Sequence, residues 1–248
     1  MSNDLQVTEV VNITSTVKDN GNVVLGVKGQ EKFTYLPFNK KDKYFMNPQD
    51  FVKFISAVEK TIRTSDEYAR YIAWLKNDVG LRRCMMFPNI TDADVPIEMH
   101  HGPIFNLYDI VEIQIAYMFK NGDNNINSMR VAHHVMEDHF NNIIQVVMLC
   151  EMAHKGWHAF QKLKVKEGKF FMDMRSAWGD LGKFIDKYKD ALTIQHINKV
   201  KNYLLDFEKY AKETPETPSM FNYETTDWAD KFSDLFGGTN ESRNSTSG

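Results

Sequence analysis

A chain of 248 residues, 42% hydrophobic and 25% charged with a net charge of −3, has the composition of an ordinary globular protein and excludes a fibre or a disordered tail. The negative balance argues against nonspecific coating of nucleic acid but leaves room for a local basic strip. No run approaches the roughly 18 to 20 apolar residues that span a bilayer, and MSNDLQVTEVV at the start lacks the basic-then-apolar pattern of a secretion signal.

One elaborated domain, or two closely packed ones, held in a cytoplasm is the expectation. Cys84 and Cys150 could pair, but so few thiols in an intracellular chain give no support for a disulfide framework, and the Asn-x-Ser/Thr triplets at Asn12, Asn89, Asn240 and Asn244 carry little meaning there.

Residues 5–36 alternate β-branched and polar residues around Asn20-Gly21, which predicts an N-terminal β-hairpin. From Asn47 the period changes. Phe51, Phe54, Ile55, Val58 and Ile62 recur at helical spacing, and Ser65-Asp66-Glu67 caps a second helix through Leu75. LRRCMMF (81–87) reads as a β segment and IEMHH (97–101) as a short strand.

Residues 106–122 and 126–140 then form a predicted helical pair, the first presenting Leu107, Ile110, Val111, Ile115 and Met118, the second Met129, Ala132, Val135 and Met136. NIIQVVML (142–149) is of strand type, and CEMAHKGWHAF (150–160) suits a helix of about three turns. GKFFMDM (168–174) predicts another short strand, and 175–192 and 193–213 are amphipathic helices. Beyond Thr214 the chain turns acidic and amphipathic, and its last ten residues read as disordered.

Seven of the eight histidines lie between positions 100 and 158. His154 and His158, four apart on a helix, have Cβ atoms about 5–6 Å apart, so both imidazoles can reach one metal ion. Alone, this spacing more often marks a partly exposed helix face. His100 at a strand end could complete a three-histidine set while His101, on the opposite side of the strand, meets a substrate. A neutral imidazole titrating near pH 6.5 could take a proton from water, and a metal opposite it would stabilise a leaving alkoxide.

IEMHHGPI followed by IIQVVMLCEMAHKGWH resembles the HNH, or His-Me finger, endonucleases, in which a strand ends in His-His and a second strand leads into a helix bearing His-x-x-x-His. The likeness extends loosely over residues 65–192, to a group of such proteins from large tailed phages. It implies His101 as general base, His100 and His154 as metal ligands, and His158 as a third ligand or a phosphate contact. The middle position of the motif falls on Gln145 instead of asparagine, with Asn142 and Asn141 just upstream as substitutes. One divalent ion is implied, Mg²⁺ or Mn²⁺ first, with Zn²⁺ or Ni²⁺ next.

The sequence departs from the family pattern twice. The long connection after the pair requires an inserted helical hairpin that folds away from the site. Cys150 stands where many members carry the first cysteine of a zinc knuckle, but Ala153 leaves that set incomplete.

The other histidines read more plainly. His139 follows an apolar stripe and is expected in the core, His133 and His134 in solvent, and His196 in a structural role on a polar helix face. Glu98 and Asp109 are candidates to hold an imidazole tautomer. Lys162, Lys164, Lys166 and Lys169, with Arg82 and Arg83, form a candidate phosphate strip, although a solvated loop explains the lysines equally well. The acidic segment 226–237 could dock on a protein partner or fold back on the core.

These readings converge on an α+β fold: a ββα-metal finger with a helical insertion, embedded in a mostly helical domain with an N-terminal β-hairpin. The expected regions are 1–47 (hairpin), 48–96 (helical), 97–160 (finger, insertion 105–140), 161–213 (helical) and 214–248 (acidic segment and tail). The implied function is endonucleolytic cleavage of DNA, RNA remaining open, in a host cytoplasm or carried in a virion. The rival is an inactive finger that binds host or virion proteins.

Overall fold

Burial of one apolar face per helix organises the molecule. The computed structural model describes residues 13–17, 23–27, 33–35, 37–38, 47–123, 125–163 and 171–214, the first four stretches and 159–163 as backbone. In chain order the elements are β1 (Ile13–Val17), β2 (Val23–Val27), β3 (Phe33–Tyr35), β4 (Pro37–Phe38), α1 (Pro48–Arg63), α2 (Asp66–Asn77), β5 (Ile97–His101), α3 (Leu107–Lys120), β6 (Ile126–Asn127), α4 (Ser128–Phe140), β7 (Val146–Cys150), α5 (Glu151–Leu163), α6 (Leu181–Tyr188) and α7 (Ile194–Glu213). The fold is α+β and mostly helical.

The N-terminal hairpin gains a third strand, because β2 pairs antiparallel with both β1 and β3. Helix α1 starts where Asn47 accepts from the Gln49 amide and Pro48 fills a first-turn position that needs no donor. Its Phe54, Ile55, Val58 and Ile62 are fully buried, and it packs on α3 and α4. Ser65 caps α2 by accepting from the Tyr68 amide at 3.1 Å. One continuous apolar core runs from Phe54 to Phe207.

β5 and β7 form an antiparallel pair that places His100 opposite Val147 and His101 opposite Val146. α5 begins at the residue after β7. The strand, strand, helix order of the finger is therefore present.

Four expectations change. LRRCMMF is no strand and makes a single bridge between Arg83 and Thr91. Phe171–Asp173 leads into a 3-10 turn at Met174–Ser176 instead of a strand. The predicted helix over 175–192 starts only at Leu181, because Trp178 exchanges both backbone hydrogen bonds with Val146, at 2.7 and 2.8 Å, and so extends β7 sideways. Met129 lies outside the apolar stripe and is 57% exposed.

The chain turns sharply at Gly179 (φ +109°), where an added Cβ would lie 2.1 Å from the Ile144 carbonyl oxygen. Gly179→Ala must push backbone apart as well as strain φ, and it is expected to cost about 3 kcal/mol or more. A thermal melt reads this as a drop of about 6–12 °C in the unfolding midpoint.

Candidate metal centre

Alternation along β5 separates the two adjacent histidines. His100 faces α5, with its ring centroid 5.0 Å from that of His154 and 5.2 Å from that of His158, and those two are 4.9 Å apart. One nitrogen from each of the three imidazoles lies within 4.8 Å of the others, a spacing that a single ion can bridge. Glu98, two residues before His100 and on the same strand face, accepts from His154 Nδ1 at 2.5 Å. That bond puts the proton on Nδ1 and leaves the lone pair on Nε2.

His100 is buried, and desolvation, together with the neighbouring His154, His158 and Arg63 charges, holds it down at about 3. It is neutral, and so ready to donate a lone pair, throughout the physiological range. Three imidazole nitrogens with an outer carboxylate fit a divalent ion of the zinc and nickel type better than Mg²⁺, which favours oxygen.

His101 faces the other way, into α2 and α4. Its ring stacks on Tyr68, with centroids 6.1 Å apart, and its Nε2 lies 2.9 Å from Nε2 of His139. His139 donates from Nδ1 to the Val135 carbonyl at 2.7 Å, so its Nε2 carries the lone pair and His101 Nε2 carries the hydrogen. Nδ1 of His101 is then the nitrogen left to act as a base. Burial, then His139, Arg63 and His100, hold His101 well below the ordinary imidazole value. It is a weaker base than the sequence suggested.

His139 lies in the core as expected, fully buried, but its pairing with His101 had no sequence signal. The expectation that the insertion folds away is corrected: α4 supplies His139 to the pair with His101, and Asn106 with the start of α3, Leu107, Tyr108 and Asp109, lines a cavity of about 810 Å³. The four histidines 100, 101, 154 and 158 line the same cavity, joined by Arg63 and Lys199. Both cationic residues escaped sequence reading because each sits on an ordinary amphipathic helix.

Gln145 is buried and borders a separate small void beside Phe105, Ile110, Leu181 and Phe184. Asn142, in a left-handed turn (φ 55°), accepts from Trp178 Nε1 at 2.8 Å and is occupied in holding that turn. Neither borders the histidine cavity.

Arg82 is engaged by Asn77, the Lys76 carbonyl and Asp92, and Arg83 sits at its bridge to Thr91; neither lines the cavity. Lys164, Lys166 and Lys169, the Lys162 side chain and segment 226–237 lie outside the described residues.

His133 and His134 flank Glu137 on the surface, as expected. His196 is buried instead of lying on a polar face. Its Nδ1 accepts from the Thr193 amide at 3.3 Å in a capping box, and its Nε2 faces Glu112 at 3.4 Å. Asp109 beside it is taken by Lys199 Nζ at 2.6 Å.

The fold and the cluster define an α+β protein with a three-imidazole centre on a strand–strand–helix unit. A family model of bacteriophage G278-like virion proteins matches residues 1–227, and the chain belongs to that family. Neither the curated proteins nor the solved structures provide a match.

Proposed function

We propose that the chain is a metal-dependent phosphodiesterase of the His-Me finger kind, carried in the phage particle and acting on DNA. The gathering of His100, His154 and His158 nitrogens within 4.8 Å of one another carries the reading, because nothing in core packing requires three imidazoles to converge beside a cavity.

His100, His154 and His158 would hold the ion, which when bound polarises a phosphate oxygen and offsets charge on the leaving alkoxide. Glu98 orients His154. His101 would accept the water proton at Nδ1, and the resulting imidazolium keeps its Nε2–H on His139. In this role His139 replaces the middle residue that the family likeness had put at Gln145. Zn²⁺, Ni²⁺ or Mn²⁺ suits the nitrogen set better than Mg²⁺.

A second reading rests on the depth of His101, which is only 4% exposed: the centre holds its ion structurally and the finger is a binding module for virion or host proteins. Nicking of supercoiled plasmid, with each metal added back after chelation, separates the two. Metal-dependent nicking that His101→Ala lowers by about 100-fold or more supports the enzyme. Absence of nicking with every metal, from a protein that still binds the ion, moves the assignment to the module.

A further inference from the structure

The chain has two cysteines, distant in sequence, and the fold brings them together. The Cys84 amide donates to Ile90 O at 2.9 Å and the Met85 amide to Met148 O at 2.8 Å, which lays this stretch along β7 two residues from Cys150. The Cys84 and Cys150 thiols are in hydrogen-bond contact, and the amides of Met86, Phe87 and Cys150 are hydrogen-bonded to the Cys84 sulfur. Both side chains are buried, at 0% and 2% exposure. Desolvation pushes the Cys84 thiol up, so it stays protonated and unreactive until the segment opens.

We propose that Cys84 and Cys150 are an oxidisable pair that closes to a disulfide once the protein leaves a reducing cytoplasm; only the place of oxidation rests on the virion reading. The two thiols already meet, and a disulfide holds its sulfurs about 2.05 Å apart. The oxidant is a small-molecule disulfide. One protein thiolate attacks it and releases a thiol, and the second protein thiolate displaces the other thiol. Two S–H bonds are lost and one S–S bond forms. The two electrons and two protons leave on the reduced oxidant.

The bond would join the segment before β5 to the residue immediately before α5, the helix that carries His154 and His158. The constraint would reduce the freedom of the unfolded chain across the whole insertion.

The test treats the full chain with excess oxidised glutathione, or with a phosphine reductant, then alkylates it under denaturing conditions and measures intact mass. The expected oxidised product has lost two hydrogens, takes up no alkyl group, and yields joined Cys84 and Cys150 peptides that a reductant separates. Its unfolding midpoint should exceed that of the reduced protein by about 5 °C or more. Cys84→Ser should lose the joined peptide, while the oxidised and reduced wild-type proteins make the comparison independent of how that variant folds. Two alkylated cysteines after oxidation, glutathione adducts in place of the joined peptide, or a retained metal ion with both thiols still alkylatable would each overturn the assignment.

Discussion

His154→Ala is expected to weaken Zn²⁺ or Ni²⁺ binding by at least about 100-fold, and Glu98→Gln by about 10- to 100-fold, in a competition titration against a chelating dye. His154 is the centre of the trio in the chemical sense: its Nδ1 is bound to Glu98 at 2.5 Å, so its tautomer is set before any ion arrives. Removing the ring deletes a ligand. Removing only the carboxylate's charge leaves the ligand but weakens the preference for the donating tautomer and lowers the basicity of the ring.

The two variants therefore differ in size and not in kind. His133→Ala, on an exposed surface pair with Glu137, serves as the comparison and should bind like wild type. Equal affinity in His154→Ala and wild type would remove the trio as the metal centre. An effect of Glu98→Gln as large as that of His154→Ala would make the carboxylate itself a ligand.

Much of the site was legible because its signals are local. The four-residue spacing of His154 and His158, the alternation that splits His100 from His101, and the run before Cys150 that reads as a strand all depend on periodicity within one element. The structure keeps each of them. What was not legible depends on contacts between elements. His139 showed an apolar stripe and hence burial, but no pattern within α4 says that its Nε2 meets His101 on β5.

Arg63 and Lys199 belong to helices far apart in the chain and meet only at the cavity wall. The helix predicted over 175–192 failed for a related reason. Its first residues had helical spacing, yet the two backbone bonds between Trp178 and Val146 outweighed local propensity. Gly179 was the one local warning, since its positive φ and its closeness to Ile144 suit an extended turn and not a helix interior.

The buried pair predicts a steep loss of stability on mild acidification. His139 is fully buried, and desolvation outweighs its bond to the Val135 carbonyl, taking it from 6.5 to about 4; His101 shifts in the same direction. A group with a folded value below its unfolded value is bound to more protons in the unfolded chain, so unfolding gains as pH falls. The contribution is whole above pH 6.5 and drains away between 6.5 and about 4. Between pH 7 and pH 5 His139 should remove about 2 kcal/mol, and His101 and His100, shifted the same way by burial, add to the loss.

Urea midpoints measured across that interval in the presence of a chelator check this. The window lies above the ordinary carboxylate range, and the chelator removes the competition between metal and protons at the trio. His139→Gln should flatten the slope by about one proton while keeping an acceptor for the His101 Nε2–H. A midpoint that does not move between pH 7 and pH 5 would mean that burial does not hold the two imidazoles below their ordinary value. Loss of the slope in His133→Ala instead of His139→Gln would place the titration on the surface pair with Glu137 and away from the core.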